Sequence, residues 1–365
     1  MSILLFIVIL SVLVLVHEAG HFFTARWMGA QVEEFGVGFP PRAWSFVRKG
    51  VRYSLNWIPL GGFVKIRGES GDGRHDPLSF ASKPAWKRLI VLSAGVVMNF
   101  ILAAVLLSVG FMAGVPQAIE NDLSSSAIVR DRAIAVVQVA EGSAAALAGV
   151  QFGDEVASID GALFESAEDA RLYIQAHLEN EMQLTVKRGE EYFTYPVTAA
   201  VLDAADGATV LGVGLTTSGI VSYPWYLAPV EGTKSAAFLT KEVVLAFYGL
   251  LKNLVVHQEV AVDLSGPIGI AVMTGEVAKL GFVYLLYFSA LLSINLAVIN
   301  FIPFPALDGG RALFVIIEKI KGSPVQAKFE ATAHSIGFAL LMILVVLVTY
   351  RDLVRFGGDI LSVFK

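Results

Sequence analysis

Ile3-Leu-Leu-Phe-Ile-Val-Ile-Leu-Ser-Val-Leu-Val-Leu-Val-His17-Glu-Ala-Gly-His21-Phe-Phe-Thr-Ala25 is an apolar run with three ionisable side chains set into its last third. As a helix rising about 1.5 Å per residue it is long enough to cross a hydrocarbon core of about 30 Å. Ionisable groups at that depth are costly unless they face a cavity or a partner. The run therefore calls for other helices around it. Three more runs supply them. Leu89 to Val115 and Leu280 to Leu307 carry no charged residue, and Ala331 to Tyr350 holds only His334.

The 365 residues are 55% hydrophobic, too apolar for an ordinary soluble enzyme of this length. With no cysteine, disulfides and thiolate metal sites are excluded. The net charge of −5 gives no basic footprint, and no nucleic-acid partner is expected.

The distribution of charge says more. Residues 26–88 hold eleven Lys/Arg against five Asp/Glu, and residues 311–330 hold four more Lys/Arg. Residues 116–282 hold nine Lys/Arg against twenty-one Asp/Glu. By the positive-inside rule the two short basic segments are cytoplasmic. The long middle section and both termini then lie outside.

The expected class is an α-helical polytopic membrane protein with about four spanning helices, a membrane-associated β-hairpin and an inserted α+β domain. The segments read as follows: a first helix in 1–30, a hairpin and loop in 31–86, a second helix in 87–116 and a small domain in 126–215. An amphipathic helical linker in 216–279 precedes a third segment in 280–310. A loop, a fourth helix and a tail fill 311–365. In the hairpin, Val51 to Ile58 alternates in part, Pro59-Leu-Gly-Gly62 reads as a turn, and Phe63 to Ile66 resumes extended character. In the small domain, Ala133 to Val139 reads as a strand and Ser143 to Gly149 as a short helix. A longer helix is expected over Ala167 to Leu178, and Gln183 to Val186 should pair with Tyr192 to Val197.

His17-Glu-Ala-Gly-His21 fits H-E-x-x-H. On a helix, positions i and i+4 share a face, so both imidazoles can hold one ion while Glu18 handles a proton beside it. Zinc needs a third protein ligand and one open position. Asp308 stands out in Asn300-Phe-Ile-Pro-Phe-Pro-Ala-Leu-Asp308-Gly-Gly310, where two prolines and two glycines should break the helix. Broken backbone at membrane depth belongs where it lines a cavity. His75, His177 and His257 read as surface or packing residues. His334, inside an apolar run, keeps a candidate role near the site.

These residues resemble the site-2 proteases, specifically the bacterial regulator-of-sigma-E protease group. The resemblance runs over nearly the whole chain. It rests on His17 to His21, on Asn300 to Gly310 and on a PDZ-like insert between the second and third helices. Gly36-Val-Gly-Phe-Pro40, Ile58 to Lys65 and Ser265-Gly-Pro-Ile-Gly-Ile270 match less specifically. The resemblance implies an intramembrane zinc metalloendopeptidase of a bacterial inner membrane, with Zn2+ on His17, His21 and Asp308 and Glu18 as catalytic base. Implied substrates are single-pass membrane proteins, such as an anti-sigma factor or remnant signal peptides, met within the lipid bilayer. Implied substrate contacts are Asn300, Asn295 and the hairpin residues Gly61, Gly62 and Phe63. The active site would lie nearer the cytoplasmic side, and the insert outside. One departure is that well-known Gram-negative members carry two tandem PDZ domains, and this chain has room for only one. The insert can be read as a dock for a free C-terminus or as a filter against bulky ectodomains. Two other classes fit the bare pattern: a transporter with a polar relay, and a metal-free scaffold.

Overall fold

A computed structural model describes residues 2–71, 73–119, 126–140, 142–202, 208–256 and 266–363. The chain divides into two units, Met1–Gly110 with Pro229–Lys365, and Phe111–Ala228.

The first unit is built on α1 (Ser2–Trp27), β1 (Val32–Arg48), β2 (Val51–Ile66) and α2 (Ala85–Ala113). Among the described residues, four helices are long and apolar enough to cross a membrane: α1, α2, a helix at Phe282–Phe301, and Ala327–Arg355 of the last helix. The chain is thus a polytopic helical membrane protein. α1 stops where Gly29 turns left-handed at φ 81°, with Ala30 N donating to Ala25 O. α2 starts directly after Pro84, where the missing N–H costs nothing.

The β element is more folded than its alternation suggests. β2 is one strand through Pro59-Leu-Gly-Gly62, and the chain reverses earlier, at Lys49-Gly50. The two halves of β2 do not pair with each other. Glu34 to Val37 of β1 faces Arg52 to Leu55 on one side and Gly62 to Lys65 on the other. The second half of β1, Arg42 to Arg48, closes the sheet against Val51 to Asn56. Prolines 40, 41 and 59, which cannot donate to a ladder, mark the bends. The segment Gly62 to Ile66 is consequently an outer strand, with no further strand beside it among the described residues.

The second unit is an α+β domain. Its sheet runs β3-β10-β4-β5-β6-β7. These strands are β3 (Val115–Ala118), β4 (Ile128–Val139), β5 (Glu155–Ile159), β6 (Glu181–Arg188), β7 (Glu191–Thr198) and β10 (Val213–Ser222); β8 (Ala200–Leu202) and β9 (Ala208–Val210) pair separately. Two helices, α3 (Ala144–Ala148) and α4 (Ala167–Ala176), complete it over a core that includes Ile134, Val136, Ile159, Met182, Leu184 and Val186. The strands and helices read from the sequence are present, but the sheet reaches past 126–215 at both ends, through β3 and β10.

Beyond this unit, the stretch expected as one amphipathic linker holds two helices, α5 (Ala228–Val256) and α6 (Pro267–Leu280). α6 has no side-chain cap of its own. A buried carboxylate on the last helix, Asp352, accepts from Gly266 N at 3.1 Å and Gly269 N at 2.7 Å. That explains Gly266 of the Gly266-Pro-Ile-Gly269 run, since a Cβ there would lie 2.8 Å from the Asp352 carboxylate.

The third apolar run is also divided. α7 (Phe282–Phe301) ends at the prolines, and Asp308 opens a new amphipathic helix, α8 (Asp308–Lys321), before α9 (Ala327–Val363). Asp308 therefore starts a helix rather than ending one. The far end of α8 is stapled by Glu318. It accepts from Arg88 at 2.8 Å and Arg74 at 3.1 Å. Burial raises the Glu318 carboxyl, but the two guanidiniums outweigh it and hold it down at about 2, so it stays charged at neutral pH.

Candidate metal centre

The centre stands on a small apolar core shared by α1, the sheet, α2 and α8: Phe22, Ala25, Val32, Val51, Val91 and Val315 are all buried in it. Gly20 lets α1 approach α2; a Cβ there would sit 2.5 Å from Ala94 O. This close crossing of small residues is the usual way membrane helices meet without a hydrophobic driving force.

The histidines project from that crossing and both are buried. His17 Nε2 lies 2.9 Å from Asp308 Oδ2, His21 Nε2 lies 3.1 Å from the same oxygen, and the two Nε2 atoms are 3.2 Å apart. Among the described residues this is the one group of three side chains able to hold a metal. Tetrahedral zinc with bonds of about 2.0–2.1 Å separates its ligand atoms by roughly 3.3 Å. The triangle fits the ion with a few tenths of an ångström of expansion. Two imidazoles and one carboxylate are also the donor set zinc takes when thiolates are absent.

The rings are aimed from behind. His21 Nδ1–H donates to Val91 O at 2.8 Å, leaving the Nε2 lone pair free. Asn99, fully buried on α2, puts its side-chain amide 3.3 Å from His17 Nδ1. With Nδ2 toward the ring, Asn99 Oδ1 has no partner. Turned so that Oδ1 faces the ring, the amide accepts from His17 Nδ1–H and again frees Nε2. Asn99→Ala is expected to weaken zinc binding about 10- to 100-fold, the usual cost of losing such a partner. Competition with a chelator measures it, and unchanged affinity would remove Asn99 from the centre. Gly95, one turn earlier, faces both rings: a Cβ would lie 2.5 Å from His21 Nε2 and 2.6 Å from His17 Nε2. The sequence reading missed both residues. The only signal for Asn99 was an amide in a charge-free helix, and Gly95 had none.

Glu18 is not part of the triangle. Its Oε2 accepts from Val64 N of the outer strand at 2.9 Å, which leaves Oε1 for other work. A cavity of about 140 Å³ opens here, lined among others by Glu18, His21, Phe63, Val64, Asp308 and Arg311. Arg311 is ion-paired to Glu69, which also lines it. Of the other candidates, Phe63 reaches this cavity, while Gly61 and Gly62 pack against Val14 and Leu15 of α1. Asn295 donates to Leu291 O within its own helix, and neither it nor the half-buried Asn300 is among the cavity's lining. His75 is exposed, and His177 donates to Tyr173 O and stacks on that ring. His257 lies outside the described residues. His334 reaches the segment leading to Asp308, as described below.

Comparison with known proteins agrees with this chemistry. The profile of peptidase family M50 matches residues 5–344. The regulator of sigma-W protease RasP of Bacillus subtilis is 31% identical, over 97% of this chain and 98% of that one. The zinc metalloprotease RasP of Bacillus licheniformis is 30% identical, over 97% and 99%. A solved PDZ domain of an SdrC-like protein from Listeria monocytogenes matches at 22% identity and TM-score 0.21, covering 24% of this chain and 92% of that one. The transporter and scaffold readings fall away, and the chain belongs to peptidase family M50, the site-2 zinc metalloproteases of membranes.

Proposed function

We propose that this enzyme hydrolyses peptide bonds of single-span membrane proteins inside the bilayer, with His17, His21 and Asp308 holding zinc and Glu18 as general base. The observation that carries the reading is the convergence of three donor atoms within 4.8 Å on α1 and α8, with a free carboxylate oxygen beside them. Bound there, zinc supplies Lewis acidity, polarising the scissile carbonyl and acidifying water to a pKa of about 7.

Glu18 takes the proton of the attacking water on Oε1 and returns it to the leaving amide nitrogen. Val64 N–H fixes the carboxylate rotamer meanwhile. A helical substrate hides its peptide bonds behind its own hydrogen bonds and must unwind. The outer strand Gly62 to Ile66 has no strand on its far side among the described residues, and Val64 N–H there is held only by the Glu18 side chain, so an unwound segment can add to it as a strand beside the centre. Phe63 then meets the substrate directly.

The basic segments 26–88 and 311–330 support a centre near the cytoplasmic side of an inner membrane, with residues 116–282 and both termini outside. The relative that regulates sigma-W supports an anti-sigma factor as the substrate class; remnant signal peptides fit the same geometry. The test is cleavage of a reconstituted single-span reporter carrying either Gly-Pro or Leu-Leu at mid-helix. The Gly-Pro form should be cut several-fold faster, and a zinc chelator should stop both. Equal rates would leave strand addition without a basis, and chelator-resistant cleavage would remove the metal from the reaction.

A further inference from the structure

Asp308 has to be aimed at two histidines on another helix, yet it opens α8 without a side-chain cap at Leu307. What fixes it is the segment before it, Ile302 to Leu307. The N–H groups of that segment can be accounted for one by one. Ile302 N donates to Ile299 O, Phe304 N to Ile302 O and Leu307 N to Phe304 O. Pro303 and Pro305 have none. That leaves Ala306 N, which donates to His334 Nδ1 on α9 at 2.8 Å. Ala306 is also the residue held at φ 85°, a left-handed conformation that a non-glycine residue keeps only when its surroundings impose it.

α9 grips the same segment at a second point. Gly337, three residues on from His334 and on the same helix face, lies so close that a Cβ would be 2.3 Å from Pro305 O. Phe314 of α8 packs on the His334 ring at 5.5 Å between centroids. The segment's tight turn is passed on to α8, because Gly309 and Gly310 pack directly on it: added Cβ atoms would lie 2.3 Å from Phe301 O and 2.2 Å from Phe304 O.

We propose that His334, together with Gly337, is a positioning clamp: it accepts the one N–H of the 302–307 segment that neither the segment nor the end of α7 satisfies, and so holds Asp308 in register with His17 and His21. His334 acts through Ala306 and touches neither metal nor substrate. This rests on Asp308 as a zinc ligand.

The test is zinc affinity of the purified full-length chain in detergent, by chelator competition, with thermal unfolding of the zinc-free forms alongside. His334→Ala should bind zinc about 10- to 100-fold more weakly. His334→Asn should stay within about threefold of the native chain, because Asn Oδ1 falls where Nδ1 was and can accept the same N–H. Gly337→Ala, which leaves His334 in place but pushes on Pro305, should also weaken zinc binding. Native affinity in His334→Ala would overturn the clamp, and so would equal losses in the Ala and Asn variants, since the hydrogen bond would then not be what matters. Asp308→Ala separates the two layers. If it loses zinc while His334→Ala keeps it, only the clamp fails; if it keeps zinc, the ligand reading fails.

Discussion

Glu18→Gln should abolish cleavage while leaving zinc in place. The substitution keeps the size and shape of the side chain, so the crossing of α1 and α2 is undisturbed. Gln can still accept from Val64 N through its amide oxygen, as Glu18 does at 2.9 Å. What it lacks is a second oxygen able to take a proton. General bases contribute typically 10²- to 10⁴-fold, and the same group is also needed to protonate the leaving nitrogen. A drop of about 10³-fold or more in the cleavage rate is therefore expected. Bound zinc should stay near one per chain, because the three converging donors are His17, His21 and Asp308. His17→Ala and Asp308→Ala should differ from it by losing metal and cleavage together. Metal content by mass spectrometry and single-turnover cleavage of a single-span reporter measure the two quantities. Cleavage within tenfold of native would take the base role from Glu18. Loss of zinc from the Gln variant would make Glu18 a ligand.

Glu18 and its two histidines were legible because polar groups at helical spacing inside an apolar run demand an explanation. Asp308 was legible for a related reason: two prolines end a helix wherever they fall, and a carboxylate beyond them needs a partner. The position of Asp308 at the start of α8, rather than in the third span, was not legible, since the resumed helix is amphipathic and reads like a loop boundary. The β element was legible as strands but not in its pairing. Glu34 to Val37 lies between two halves of one later strand. Alternation reports a buried face, not which segment lies alongside. His334 could be flagged as an ionisable group in an apolar run, but its acceptor role depends on Ala306, 28 residues away and backbone only. Asn99 and Gly95 were hidden most completely. Glycines and lone amides serve helix packing throughout membrane proteins, so neither residue type points to a metal by itself.

Gly95 is where this hidden layer should have its largest effect, and Gly95→Ala is expected to destroy the metal centre while sparing the fold. Alanine is a better helix former than glycine, so α2 itself gains slightly. Its backbone there is helical, so the new Cβ meets no conformational penalty. The obstacle is what the methyl would touch: His21 Nε2 at 2.5 Å, and His17 Cε1 and Nε2 at 2.6 Å. All three distances are shorter than carbon–nitrogen or carbon–carbon van der Waals contact of roughly 3.5 Å. The ring ends can swing away at modest cost to packing. They cannot do so and keep both Nε2 atoms about 3.3 Å from Asp308 and from each other, as a tetrahedral ion requires. His21 is further tied at Nδ1 to Val91 O, so turning its ring breaks that bond as well. Zinc affinity should fall at least 100-fold and cleavage to background, with helicity by circular dichroism and the unfolding midpoint of the zinc-free protein close to native. Gly249→Ala on α5, where a Cβ meets nothing within 4 Å, is the matched control and should change neither property. A Gly95→Ala protein with native zinc affinity would mean that the rings leave more room than their present positions allow, and the close fit of α2 against the histidines would lose its role in shaping the centre.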